Sequence, residues 1–193
     1  MRHGLTPIEP RVAELFNLGT EHLERGEYKD AAFCLTEALK VQKFPELYSN
    51  LGKTYHEAGY CKLAEACYRS ALTLIPDDAQ EHNAIRSEVY ANITCSLMAC
   101  GELADAEVAV TKALEVDSNN PTALGNMGNL LIAVGRSREA VPFFERSIAI
   151  EPNPDTHGNL IFAMDLSDDF SLADLHLARK RWAAVHADPL YPN

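Results

Sequence analysis

Four stretches decide the fold once they are set in register: NLGTEHLERGEYKDAAFCLTEAL (17–39), NLGKTYHEAGYCKLAEACYRSAL (50–72), NITCSLMACGELADAEVAVTKAL (92–114) and NMGNLLIAVGRSREAVPFFERSI (126–148). A fifth start, NLIFAM, opens at Asn159. The leading asparagines are separated by 33, 42, 34 and 33 residues. Gly26, Gly59, Gly101 and Gly135 repeat the first three intervals, and so do Ala31, Ala64, Ala106 and Ala140. Three markers sharing one irregular spacing define an internal repeat, which sets the architecture before any other feature is weighed.

The repeat resembles the tetratricopeptide repeat, a helix–turn–helix unit of about 34 residues, over roughly residues 10–166. Leu18-Gly19, Leu51-Gly52 and Met127-Gly128 match its first-helix pair, with Ile93-Thr94 a departure. Tyr55 matches its first-helix aromatic. Ala31, Ala64, Ala106 and Ala140, then Ala38, Ala71, Ala113 and Ser147, match its small second-helix positions, and Pro76 and Pro152 its closing proline. The first repeat lacks that proline, and the third delays it to Pro121.

Physical signals agree with the resemblance. Small residues at fixed helical spacing let antiparallel helices approach closely. The four glycines stand where a first helix must end in a left-handed cap. Apolar residues recur every three or four positions, as in Ala31, Leu35, Ala38 and Leu39, and no segment alternates as a strand does. Pro45, Pro121 and Pro154 suit the first turn of new helices. Pro142 falls inside a predicted helix that Ser137 is expected to cap, with a mild bend. The expected fold is all-α: a right-handed superhelical solenoid of antiparallel helix pairs. Residues 1–9 form an N-terminal tail, 10–153 four helix pairs, 154–187 a fifth, atypical pair that ends the stack, and 188–193 a C-terminal tail. The 42-residue interval places about eight or nine extra residues between Pro76 and Asn92. They read as one long helix from about Asp78 to Cys100, capped by Asp77 or Asp78. The alternative is a short polar loop before a normal helix.

Composition narrows the function. The chain has 193 residues, 47% apolar and 23% charged, enough to bury a core and too apolar for disorder. No apolar run approaches the ~20 residues of a membrane span, and the N-terminus has no signal-peptide h-region. Twenty-eight acids against 17 bases give a net charge of −11. That argues against nucleic acid and anionic membrane as partners. The one basic cluster, Arg179-Lys180-Arg181, reads as a solvated face. Cys34, Cys61, Cys67, Cys95 and Cys100 are odd in number with no Cys-x-x-Cys. Reduced, mostly buried thiols in a cytoplasmic protein are expected, with no metal site.

The candidate binding residues are the stepped amides. Asn17, Asn50, Asn92, Asn126 and Asn159 hold one first-helix position in successive repeats, and Asn129 lies one turn beyond Asn126. In the tetratricopeptide family the first helices line the concave, peptide-binding surface. A side-chain amide offers donor and acceptor together, so a column of amides grips an extended backbone regardless of its side chains. The alternative for any single asparagine is a bond to a neighbouring helix.

The ladder resembles that of O-linked N-acetylglucosamine transferases, where stepped asparagines bind substrate polypeptide. A second resemblance lies in residues 157–190. Asn159-Leu160, Phe162-Ala163, the acidic loop Asp165 to Asp169, Ser171, Arg181-Trp182 and His186-Ala187 are similar to the connector of the bacterial and SPINDLY-like relatives. The resemblance implies the substrate-recognition arm, or a fragment, of such a glycosyltransferase, since the chain stops at Asn193, before any catalytic lobe. The rival is a stand-alone scaffold assembling other proteins, and self-assembly into a homo-oligomer is a third option. The terminal helix is expected to start at Ser171 and to bear an apolar stripe of Leu172, Leu175, Arg179 and Trp182, with Val185 nearby. That stripe caps the stack or docks on another domain. No catalytic residue, cofactor or metal ligand is expected: Gly52-Lys53-Thr54 lacks a phosphate loop's upstream glycine, Asn92-Ile93-Thr94 lies on a helix, and His176 and His186 are too far apart to ligate together. Phe16 and Thr20 stand where a carboxylate clamp needs Lys and Asn, so that subfamily is not supported.

Overall fold

The computed structural model describes residues 7–76 and 80–190. Among them are ten α-helices and no strand: α1 (Pro10–Glu24), α2 (Tyr28–Val41), α3 (Pro45–Glu57), α4 (Cys61–Leu74), α5 (Asn83–Ala99), α6 (Leu103–Val116), α7 (Pro121–Ala133), α8 (Ser137–Ile150), α9 (Pro154–Asp165) and α10 (Leu172–His186). Packing divides the chain into two units, residues 1–82 with 99–101 and residues 83–98 with 102–193. Among the described residues no helix is long and apolar enough to cross a membrane.

Each helix boundary has a local cause. α1, α3, α7 and α9 begin on proline, whose missing N–H is unneeded in a first turn. Gly26, Gly59, Gly101 and Gly135 have φ of 74°, 83°, 77° and 78°. At each corner the residue after the glycine donates its N–H five residues back: Glu27 to His22, Tyr60 to Tyr55, Glu102 to Leu97 and Arg136 to Leu131, at 2.7–2.9 Å. This bond satisfies a carbonyl that the ending helix leaves open. α7 and α9 also carry amide caps, with Asn120 Oδ1 accepting from the Ala123 N–H and Asn153 Oδ1 from the Asp155 and Thr156 N–H groups.

The first unit's core is Val12, Leu35, Ala38, Leu47 and Leu51. The second unit buries Leu131, Ala140, Val141, Phe144, Leu160, Ala163, Met164, Leu175 and Ala178 together. Within pairs, packing follows one rule. The Gly19, Gly52 and Gly128 positions are filled from the next helix by Leu35, Tyr68 and Phe144, each 16 residues on; an added Cβ would meet those side chains at 2.8, 2.7 and 2.6 Å. In the third repeat Thr94 takes the glycine's place and Val110 stands 16 residues on, both fully buried. The smaller Val110 accompanies the larger Thr94, which accounts for the departure at Ile93-Thr94. Ser147, at a position otherwise held by alanine, donates to the Pro121 carbonyl at 2.8 Å, so its buried hydroxyl is not stranded.

Four expectations need correction. The long helix begins as a 3-10 turn, Gln80–His82, before α5, a tightening common at helix ends; Asp77 and Asp78 lie outside the described residues. Ser137 does not cap α8. Arg136 holds that position without a side-chain bond, and α8 runs on through Pro142. The apolar stripe of α10 is out of phase: Leu175 and Ala178 are buried, whereas Leu172 is 84% exposed and Arg179 and Val185 are also exposed. Cys61 and Cys100, both in the first unit, form a disulfide with Cα atoms 6.0 Å apart, within the usual range. The thiols are therefore not all reduced. Burial pushes the Cys67 thiol up to about 11, and burial and then Asp30 push Cys34 up, so both are poor nucleophiles.

Ser171 does start α10. Its hydroxyl accepts from the Asp174 N–H at 3.3 Å, and Asp174 Oδ2 accepts from the Ser171 N–H at 2.9 Å, a reciprocal capping box. The bonds from Ser171, hydroxyl first and backbone second, hold the Asp174 carboxyl below its ordinary range. Ser171→Ala should destabilise the second unit by about 1 kcal/mol, read from urea denaturation.

Candidate polypeptide-binding surface

In the first unit, Asn17 on α1 is exposed and Asn50 on α3 is half-buried. Thr20 Oγ1 donates to the Phe16 carbonyl at 2.9 Å and accepts from Asn50 Nδ2 at 3.1 Å. Asn50 is thereby oriented by its amino group, and its carbonyl oxygen stays open. It lines a depression of about 500 Å³ with Thr20, Leu23, Tyr28, Lys53 and Glu57. Asn17 is not among the lining residues.

In the second unit, Asn92 on α5 is half-buried and Asn126 on α7 is 8% exposed. Asn126 Nδ2 donates to the Ala91 carbonyl at 2.9 Å. Asn159 Nδ2, on α9, donates to Asn129 Oδ1, on α7, at 2.9 Å. Asn126 thus keeps its oxygen and Asn129 keeps its amino group. The two line a depression of about 160 Å³ with Thr122, Ser147, Glu151 and Thr156, of which only Glu151 is charged. An acceptor and a donor one helical turn apart complement one peptide unit, which offers one N–H and one C=O. The bonds inside the protein fix these groups beforehand, so little rotamer freedom is lost on binding.

Sequence reasoning missed three polar features. Asn120 caps α7 and is buried; an asparagine before a proline-started helix is its signal. His157 and His186 meet from α9 and α10, a contact across 29 residues that no local spacing reveals. His22 Nδ1 lies 2.5 Å from Glu27 Oε2, with Asp30 within 4.8 Å. The two acids sit at the exposed start of α2, where the helix dipole favours negative charge.

These helix pairs, corners and amide-lined depressions define a helical-repeat protein. Residues 16–79 and 123–157 match family models of the tetratricopeptide repeat, so the chain carries tetratricopeptide repeats. No curated protein sequence matches it. Several solved structures share the fold. A thermophilic TPR protein of Thermus thermophilus is 17% identical, with a TM-score of 0.70, covering 93% of each chain. MamA (residues 41 to the end) of Desulfovibrio magneticus RS-1 is 15% identical, with a TM-score of 0.65, covering 93% of this chain and 95% of that one. The TPR-like repeats of a putative kinesin light chain from Podosopora anserina are 13% identical, with a TM-score of 0.72, covering 93% and 96%.

Proposed function

We propose that this chain is a protein-recognition module that holds an extended polypeptide by its backbone. One observation carries the reading: Asn126 and Asn129 line one depression, and each is fixed by a bond that spends one half of its amide. The opposite halves are an acceptor and a donor. Side chains of the guest are not read by such contacts, so the module accepts varied sequences.

The test is fluorescence anisotropy with a panel of labelled, unstructured acidic and neutral peptides. Each of Asn50→Ala, Asn92→Ala and Asn129→Ala should weaken binding about 2- to 10-fold, the worth of one net hydrogen bond. Unchanged affinities across the panel would refute the ladder. Asn126→Ala is less clean, because it also removes a buried bond to the Ala91 carbonyl and should cost about 0.5–1.5 kcal/mol of stability.

The finer reading is that the module is the substrate-recognition arm of an O-GlcNAc-transferase-like enzyme. It is supported by the resemblance of residues 157–190. Several residues that carry that resemblance also hold α10 against α9: Trp182 Nε1 donates to the Pro154 carbonyl, His186 meets His157, and Ser171 starts the helix. A coding sequence that continues beyond Asn193 into a nucleotide-sugar-binding domain would support this reading, and one that continues into unrelated sequence would oppose it. The second reading is a stand-alone assembly scaffold. It is favoured by fold likenesses that span 93% of the chain, which fit α9 and α10 as an ordinary closing pair.

A further inference from the structure

His157 and His186 form an ionisable cluster unrelated to the amide surface. His157, on α9, is 5% exposed. Its Nδ1 lies 3.3 Å from Nε2 of His186 on the last turn of α10, with the rings edge-on at 79°. Trp182 packs on His186, ring centroids 5.7 Å apart, and its indole N–H reaches the Pro154 carbonyl at the start of α9. At this separation two neutral imidazoles share one hydrogen bond, one nitrogen donating and the other accepting. One proton leaves an acceptor and the bond survives; a second makes both rings donors, and the bond is lost.

Among the described residues, no hydrogen bond or ion pair joins a carboxylate to either ring. α7 carries no ionisable side chain. On α8, Arg138 pairs with Asp169, Glu139 with Arg136, and Arg146 donates to the Ser118 carbonyl, while Glu145 is exposed. Asp155 of α9 and Asp188 after α10 are exposed. The charges that act on His157 are His186 and Arg181, which, together with burial as the largest cause, disfavour its protonation. The rest of the α10 attachment is slight: its buried residues are Leu175 and Ala178, both in its first half.

We propose that the His157–His186 contact is a proton-operated latch, closed while at least one ring is neutral, which releases the C-terminal half of α10 from α9 on acidification. The sign follows from linkage. The folded state holds His157 below the ordinary histidine value of about 6.5, so its contribution is full above that pH and is lost as pH falls below it. Release bares the side of α9 that carries His157 and leaves α7 to α9 folded.

The full chain provides its own reporter, because Trp182 is the sole tryptophan. Between pH 8 and pH 5 its emission should shift reversibly to the red, with a midpoint below about 6.5. Amide exchange over residues 179–186, corrected for its intrinsic pH dependence, should rise about tenfold per unit of pKa displacement, with 121–165 unchanged. His186→Gln, at a half-exposed site, should abolish the pH dependence of exchange, and so should His157→Gln; if the buried variant does not fold, the first suffices. Protection of α10 that is equal at both pH values, or a pH response that survives in His186→Gln, would overturn the latch.

Discussion

Phe144→Ala should lower the stability of the second unit by about 3–5 kcal/mol, read as a fall in the urea midpoint with little change in slope. The ring is fully buried in the cluster that joins Leu131, Ala140, Leu160, Ala163 and Met164. It also fills the space left by Gly128, whose missing Cβ would stand 2.6 Å from it. Truncation therefore leaves a cavity against backbone, which collapses poorly. The reciprocal change probes the same contact. Gly128→Ala gains about 1 kcal/mol of helix propensity, yet it pushes the ring into a core with no room, at a cost of about 1–3 kcal/mol. Gly128→Ala with Phe144→Leu should cost less than the sum of the two single changes, because the smaller side chain relieves the clash. If Gly128→Ala proved more stable than the natural chain and the double variant strictly additive, the ring–glycine contact would not be the one that sets helix approach.

The Cys61–Cys100 disulfide carries the second large effect. It joins residues 39 apart in sequence, and closing a loop of that length stabilises by about 4 kcal/mol on the chain-entropy account. Reduction, and Cys61→Ser with Cys100→Ser, should each remove about that much stability and lower the melting temperature equally. Added reductant should then do nothing further to the double variant. Thiol titration after denaturation should give three thiols without reductant, for Cys34, Cys67 and Cys95, and five with it. Five thiols without reductant, in protein purified under oxidising conditions, would show that the bond does not form.

The sequence disclosed most of the fold because its determinants are local. Glycine at a corner, proline at a first turn and alanine at a packing position act through backbone conformation and size, and each recurs at the repeat interval. What stayed hidden depends on contacts between distant residues. Cys61 follows one corner glycine by two residues and Cys100 precedes another by one; their odd number and unfamiliar spacing masked a pair that folding brings together. The phase of α10 departs from its apolar spacing at Leu172, which stands next to the cap and reaches solvent. Ala178, with little hydrophobic signal, takes its place. The amide column was legible as a register, but the orientation of each amide was not. Asn126 is set by a carbonyl 35 residues earlier, and Asn129 by an amide 30 residues later.

All four corners turn on glycine with nearly the same φ, and the one irregular interval in the chain falls between helix pairs, after Pro76, rather than inside a pair. Recombination that cuts at equivalent points of two links would therefore excise or duplicate a whole hairpin while leaving each bend in its own context. Lineages can lengthen or shorten such a molecule by integral steps, and an engineer grafting foreign sequence should choose the links and leave the bends alone.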